Sequence, residues 1–534
     1  MSLSHHFQPL LKIEIDEDEK TLMRPKSARL GRAHGLPKIH KQYQNLPKFR
    51  PIVDTTGTPH YGIGKYLSSI LNPLTQNEFA LKDSFDAANR INDIPTELFE
   101  QGYKYVSFDA VSLFTNVPLK KTIDIILTRV YEQKLIDTKL KKRTLKKLLN
   151  DACKKTAFTF NNKLFEQIDG VSMGSSLGPV LANIIMTELE KNVIDDLIKN
   201  DFVKHYMRFV DDTLMLIKPE NIPFVLNKFN SFNKNLQFTV DTFDNEDVHF
   251  LDIKIDGTKT DIYYKPTHTG QYSDFSSQTP WNFKISWVKS LIIRAHKICS
   301  NQSLFKQQIK IVKKYLSWNG YPSHISNCII KRQTDKLNLP PVTDEENCDD
   351  DITKIFVKVP YLGLDGERLV NSLIRKLGRY VKPEVKFITR YQSKKLAMFC
   401  PTKDKVLTEH KANVIYEIVC PGCGERYVGK TDRCFKTRML EHGKRVDQPM
   451  NQHLKNCNDF HDLTDMFNLA QLFGESHGIN QKEHILNAVL NNCKVLDSND
   501  NWSQLAFLEA FYIKKLRPKI NDGLKASKEL QLFG

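Results

Sequence analysis

Two adjacent acids, Asp211 and Asp212, interrupt the otherwise apolar, strand-like run Tyr206 to Ile217. A strand–turn–strand hairpin would carry both carboxylates at its tip. Adjacent carboxylates repel and are costly to desolvate, so a site that keeps both ionised holds a cation. Phosphoryl transfer to a 3′-hydroxyl uses such a site, with two divalent ions bracketing the attacking and leaving oxygens. A further acid from another strand would bridge them. Asp109, at the end of the alternating run Tyr103 to Phe108, is the candidate. Alone, an Asp-Asp pair is more often a solvated turn. The surrounding segments decide between the two readings.

At 534 residues the chain exceeds one compact domain, and two or three are expected. Lys and Arg total 78 against 62 Asp and Glu, a net charge of +16 that favours a polyanionic partner. No apolar run approaches the ~18 residues of a membrane span. Asp16, Glu17, Asp18 and Glu19 stand where a signal peptide would be apolar. No membrane partner is expected, and the cysteines should be reduced. Basic clusters and the implied function make the nucleus the expected location, with the cytoplasm as a second.

Along the chain, basic clusters with turn-formers come first, around Gly35 to Lys41 and Lys48 to Val53. A basic helical stretch follows over Leu140 to Leu149, then strands at Leu236 to Val240, Val248 to Ile255 and Asp261 to Tyr264. Ile285 to Leu316 reads as helical. Leu339 to Asp351, with Pro340 and Pro341 before an acidic run, reads as a linker or surface loop. A helix is expected around Gly366 to Tyr380, and Asn413 to Asn521 forms a last small unit.

Four segments stand in a telling order: Phe49-Arg50-Pro51-Ile52, Ser107-Phe108-Asp109 through Phe114, Gly170 through Gly174 to Pro179, and Arg208-Phe209-Val210-Asp211-Asp212. Together they resemble the fingers and palm motifs of reverse transcriptases. The resemblance implies that Asp109, Asp211 and Asp212 bind Mg²⁺ (or Mn²⁺), and that Arg50 and Lys38 contact the phosphates of an incoming dNTP. Gly174 would allow close backbone approach. Phe114 falls where a ring beneath the sugar would exclude a 2′-hydroxyl, and plain core is an equal reading. Tyr264-Lys265-Pro266-Thr267-His268-Thr269-Gly270 resembles the primer-gripping region of Penelope-like retroelement proteins, which implies primer contacts for Lys265, Thr267 and His268.

Ile415-Tyr416 and Tyr427-Val428-Gly429 resemble the two-strand signature of GIY-YIG endonucleases, with Val414 in place of the family's glycine. The resemblance implies that Glu509 binds a divalent cation and Arg438 stabilises the phosphate. Tyr416 and Tyr427 would position or deprotonate water, with His442 a candidate general base and Asn521 closing the domain. Cys420-Pro421-Gly422-Cys423 has the spacing of a zinc knuckle, or of two free thiols on a hairpin. Family usage adds His453 and His461 as ligands of a structural Zn²⁺. Cys457 lies between those histidines, which leaves the fourth ligand open.

The expected fold is thus α+β and multidomain: a right-hand polymerase, a linker region and a small α/β nuclease with a zinc knuckle. The expected boundaries are 1–34 (role unassigned), 35–100 fingers, 101–272 palm, 273–338 helical thumb, 339–410 linker, 411–525 nuclease and 526–534 tail. The implied function is target-primed reverse transcription of a retrotransposon's RNA into nicked target DNA. Telomerase-like extension of existing DNA ends, or a domesticated non-catalytic nucleic-acid-binding protein, are the competing readings. Basic residues Lys141 to Arg143, Lys146 and Lys147 either track phosphates or form a solvated helix face.

Overall fold

The computed structural model describes residues 16, 19, 23, 30–38, 47–153, 156–242, 248–338, 353–381, 385–392, 406–462, 481–499 and 502–521. The linker Leu339 to Asp351, the tail 526–534 and most of residues 1–34 lie outside these. Strands β1 (Gly31–Pro37), β2 (Phe49–Asp54), β3 (Lys104–Ala110), β4 (Thr156–Phe160) and β5 (Lys163–Gln167) come first. Helix α1 (Gly178–Leu189), the hairpin β6 (Val203–Phe209) and β7 (Asp212–Ile217), helix α2 (Ile222–Phe232) and β8 (Phe238–Thr242) follow. They make two four-stranded sheets, ordered β2-β1-β4-β5 and β6-β7-β3-β8.

The second sheet is buried on both faces, and residue alternation explains how. Val106, Phe108, Met215 and Ile217 enter a core with Leu181, Ile185 and Phe229 of α1 and α2. Tyr105, Met207, Leu214 and Leu216 enter a separate core on the opposite face. That core is closed by a small antiparallel sheet, β9 (Val248–Phe250), β10 (Ile253–Asp256) and β11 (Lys259–Ile262), together with helix α3 (Trp281–Ile298). Val248 to Ile255, expected as one strand, is two: Leu251 and Asp252 take φ of 50° and 61° and turn the chain between them.

Helices α4 (Gln302–Trp318) and α5 (Ser323–Asn338) follow α3, so the helical stretch runs beyond the expected Leu316. Asn301 caps α4 by accepting from the Leu304 amide at 3.0 Å. The basic stretch forms a helix over Lys142–Cys153 that buries Leu145, Leu148 and Leu149 and exposes Lys142, Arg143 and Lys146. Its cations thus lie on the solvated face of an amphipathic helix.

Residues 353–392 form a βαβ unit: β12 (Thr353–Pro360), α6 (Gly363–Gly378) and β13 (Val385–Gln392), the strands parallel. The last unit has β14 (Val414–Val419), β15 (Arg426–Thr431), α7 (Phe435–Lys444), α8 (Pro449–Asn456), α9 (Gln481–Asn491), β16 (Cys493–Ser498) and α10 (Trp502–Leu516). Its sheet has the order β15-β14-β16, with β14 antiparallel to both neighbours. Val414, Tyr416 and Ile418 pack against Met439, Leu454 and Val489 from α7, α8 and α9. Ile415 and Val428 point the other way, onto Leu505 of α10.

Candidate active sites

The first site sits where β3 meets the β6–β7 hairpin. Asp109 and Asp212 are direct partners across the β3–β7 ladder, which sets their Cβ atoms about 4.5–5.5 Å apart. Phe209 pairs with Asp212, so Val210 and Asp211 alone form the hairpin loop. Burial raises Asp211, reinforced by the charge of Asp109 and opposed by Arg50 and Lys38. Asp212 still reaches solvent, yet withdrawal from water in the cleft, then the charges of Asp211 and Asp109, push it up to about 6. Lys265 and Arg50 oppose that rise. The fold thus gathers three expected metal ligands and three expected substrate-contacting cations into one electrostatic neighbourhood. A cluster in which neighbouring carboxylates disfavour the ionisation of Asp211 and Asp212 suits Mg²⁺ or Mn²⁺.

The glycine loop is bound to the strand that carries Arg50. The Val53 amide donates to the Met173 carbonyl at 2.8 Å, and Thr55 Oγ1 donates to the Gly174 carbonyl at 2.8 Å. Gly174 has φ of 112°, and a Cβ there would lie 2.2 Å from the Val53 carbonyl oxygen, so only glycine fits. Phe114 is half-buried and packs against the core. Its carbonyl accepts from the Val171 amide at 2.7 Å. Lys265, Thr267 and His268 are exposed in the turn after β11. Lys265 pairs with Asp252 at 3.8 Å, and His268 lies 5.1 Å from the Tyr264 ring.

One group beneath this site was not singled out from sequence. Arg208 is 1% exposed and ion-pairs with Glu190, itself fully buried at the end of α1. The guanidinium also donates to Asn183 Oδ1 at 2.7 Å and to the Val210 carbonyl at 3.2 Å. Asn77 completes Glu190 by donating to Oε2 at 2.7 Å. Val210 has φ of 58°, an unfavourable conformation for a β-branched residue. The buried arginine therefore holds the strained residue next to Asp211. Proximity of Arg208 to the acids was visible in sequence; its partner Glu190, on a separate helix, was not.

In the last unit, Tyr416 is fully buried at the centre of a polar cluster. Its hydroxyl accepts from Arg438 Nε at 3.0 Å and lies 2.8 Å from His442 Nε2. Arg438 also donates to Glu441 at 3.1 Å. Burial raises both Tyr416 and Tyr427, and the charges of Arg438 and Glu509 act on both. A Cβ on Gly429 would stand 2.7 Å from the Tyr416 hydroxyl, so glycine keeps that space open. His442 is fully buried, and burial pushes it down to about 3. Its Nε2 meets the Tyr416 hydroxyl, and its Nδ1 is buried. Glu509 pairs with Lys430 at 3.0 Å, a partner not anticipated from sequence. Asn521 bonds both the amide (2.8 Å) and the carbonyl (2.7 Å) of Val428, tying the end of the unit to β15.

Cys420, Cys423, His453 and Cys457 bring one donor atom each to within 4.8 Å of one another. Cys420 and Cys457 sulfurs are 3.8 Å apart, and Cys423 Sγ lies 3.3 Å from His453 Nε2. These separations suit tetrahedral Zn²⁺ with bonds of about 2.0–2.3 Å. Of the two candidates the sequence left open for the fourth ligand, the structure brings Cys457 into the cluster, and His461 Nε2 instead lies 2.8 Å from the Lys455 carbonyl. Cys457 follows α8 directly, one turn beyond His453, which keeps both on the same side.

Two carboxylates paired across strands, a third in the adjoining hairpin loop, cations near them and a glycine loop locked beside them define a nucleotidyl-transfer site of the polymerase class. Comparison with known families gives the kind. Residues 47–263 match the reverse transcriptase (RNA-dependent DNA polymerase) family, and residues 271–331 match the animal helix-turn-helix domain. The chain carries a reverse transcriptase domain. No curated protein matches it. Similar solved structures include telomerase from Candida albicans in complex with a TWJ fragment of telomeric RNA, at 13% identity and a TM-score of 0.40. That likeness covers 56% of this chain and 57% of that one, so the chain spans little more than half of the telomerase. The Sicinivirus 3Dpol RNA-dependent RNA polymerase is similar at 14% identity and a TM-score of 0.36, over 60% of this chain and 71% of that one.

Proposed function

We propose that this chain is the RNA-directed DNA polymerase of a Penelope-like retroelement, joined to a GIY-YIG-type endonuclease, and that it acts in the nucleus by target-primed reverse transcription. In this reading residues 35–100, 101–272 and 273–338 serve as fingers, palm and thumb, and 411–525 as the nuclease. The observation that carries the polymerase is the cross-strand pairing of Asp109 with Asp212, beside Asp211 and facing Arg50 and Lys38. Asp109, Asp211 and Asp212 would hold Mg²⁺, which would supply activation of the attacking 3′-hydroxyl and neutralisation of the leaving pyrophosphate. Arg50 and Lys38 orient the dNTP phosphates, Lys265 and His268 face the primer, and the Val210 turn fixes Asp211 for its role.

The nuclease reading is supported by the Tyr416–Arg438–His442 hydrogen-bonded group and by Glu509 acting on both tyrosines. Arg438 is poised to neutralise a phosphate, Tyr416 to orient water, and Glu509 to hold a divalent cation in exchange for Lys430. Zn²⁺ on Cys420, Cys423, His453 and Cys457 would be structural, since protein donors fill all four places. Element RNA, target DNA and dNTPs are the partners this function requires.

The test is primer extension on an RNA template with dNTPs and Mg²⁺, comparing wild type with Asp211→Ala. Extension by wild type that is lost by at least about 100-fold in the variant supports the polymerase. Folded wild type that binds the hybrid and extends nothing across templates and metals overturns it.

A further inference from the structure

The βαβ unit of residues 353–392 belongs to neither site, yet one of its faces is built in an unusual way. β12 and β13 run parallel with eight pairs in unbroken register, from Thr353↔Val385 to Pro360↔Gln392. Helix α6 covers one face. Tyr391 lies on that side: its ring meets Tyr361 edge-on at 5.2 Å, and after burial the charge of Glu367, on α6, raises both tyrosines. By alternation Phe387 and Thr389 share that side, while Lys386, Ile388 and Arg390 point away from the helix.

Register then assembles the far face. Lys354 stands beside Lys386, Phe356 beside Ile388, and Lys358 beside Arg390. Two rungs of cations bracket a rung of apolar side chains, over roughly 13 Å along the strands and 5 Å across. Phe356 is 51% exposed, and the Arg390 guanidinium lies 4.9 Å from its ring centroid. Neither strand contains an acidic residue. A bland account is that lysines keep the edges of a two-stranded sheet from pairing with other chains. That account needs charge at the edges, but it does not need a phenyl ring left half in water between four cations. The combination of a half-exposed ring with Lys358, Lys386 and Arg390 around it fits a polyanion that carries flat rings.

We propose that the β12–β13 face binds single-stranded RNA, with one base stacked on Phe356 and phosphates on Lys358, Lys386 and Arg390. A base inside a duplex has both faces covered by its neighbours, so stacking on Phe356 selects an unpaired strand. The choice of RNA rests on the reading of this chain as an RNA-templated polymerase, which has unpaired template to hold outside its cleft.

The experiment uses the full chain with an unstructured RNA 20-mer carrying 4-thiouridine. Ultraviolet crosslinks are mapped by mass spectrometry, and affinity is followed by fluorescence anisotropy over a range of salt. Crosslinks are expected within 353–360 and 385–392. Phe356→Leu, which keeps apolar packing, should weaken binding by about 5-fold or more, and Phe356→Tyr should not. Lys358→Gln, Lys386→Gln and Arg390→Gln combined should flatten the slope of log K against log salt by about 2. Thermal melting followed by circular dichroism confirms that each variant is folded. The proposal is overturned if neither strand crosslinks, if DNA of the same sequence competes as well as RNA, or if Phe356→Leu changes only the oligomeric state. Primer extension on a short pre-annealed RNA–DNA duplex separates the two readings. Active enzyme without these crosslinks sinks this proposal alone, and crosslinks from inactive enzyme sink the polymerase reading while leaving the face.

Discussion

At the scale of single residues, the polymerase site depends on a side chain that touches no substrate. Arg208 and Glu190 are both withdrawn from water, and each satisfies the other. Removing one strands the other, so Arg208→Leu should cost about 3–5 kcal/mol, whereas the Arg208→Leu/Glu190→Leu pair should recover much of that loss. Denaturant unfolding of both variants checks this. A positioning role adds a second expectation. The paired variant, though folded, should extend primers more slowly with little change in KM for dNTP, because the Val210 turn has lost its tether. His442 supplies a pH argument. Its folded value lies near 3 against an ordinary 6.5, so between those values the unfolded chain holds the extra proton. Stability of the last unit should therefore rise as pH increases from 3 to 6.5 and level off above, by on the order of a few kcal/mol. Hydrogen exchange across Val414–Val419 in the full chain reads it, and His442→Gln should flatten that part of the profile. The aspartates were legible in sequence because adjacent acids among apolar strand residues have few explanations. Arg208–Glu190 was not, because a buried ion pair is made by tertiary packing and leaves no spacing to read.

At the scale of elements, alternation and spacing were informative wherever one strand or helix settles its own partners. The β6–β7 hairpin and the β14 strand lie close to where the sequence put them, since each buries a face that the residue pattern declares. The Cys/His cluster was half legible. Cys-x-x-Cys fixes two ligands on one hairpin, but the others depend on how α8 docks, and docking brings Cys457 rather than His461 to the sulfurs. Cys457→Ser should accordingly lower bound zinc to well under one equivalent and raise the sensitivity of the last unit to chelators. His461→Ala should leave zinc near one equivalent. Metal analysis after gel filtration distinguishes them, and equal loss in both variants would restore His461 to the site. The helix of residues 363–378 was expected from sequence, but the two strands flanking it escaped the sequence reading for a related reason. Parallel strands pair across a helical crossover, so neither strand carries a turn signal to the other.

At the scale of the whole chain, the proposed function requires two reactions in order: a nick that frees a 3′-hydroxyl, then extension of that end on RNA. Two separable sites follow, and each can be silenced without the other. Glu509→Gln removes the carboxylate that acts on Tyr416 and Tyr427 while leaving Asp109, Asp211 and Asp212 unaltered. It should abolish nicking of supercoiled plasmid, by about 100-fold or more, and leave extension of an annealed primer unchanged. Asp211→Ala should do the reverse. On intact plasmid with template RNA and dNTPs, both variants should yield no cDNA joined to target. The discriminating step is to supply plasmid already nicked: joined product should return for Glu509→Gln and stay absent for Asp211→Ala. If pre-nicked DNA rescues neither, the nuclease does more than expose an end, and the two units act together at the target. If Glu509→Gln joins cDNA to intact plasmid as well as wild type does, the polymerase extends ends it did not make, and the nicking step drops out of the mechanism.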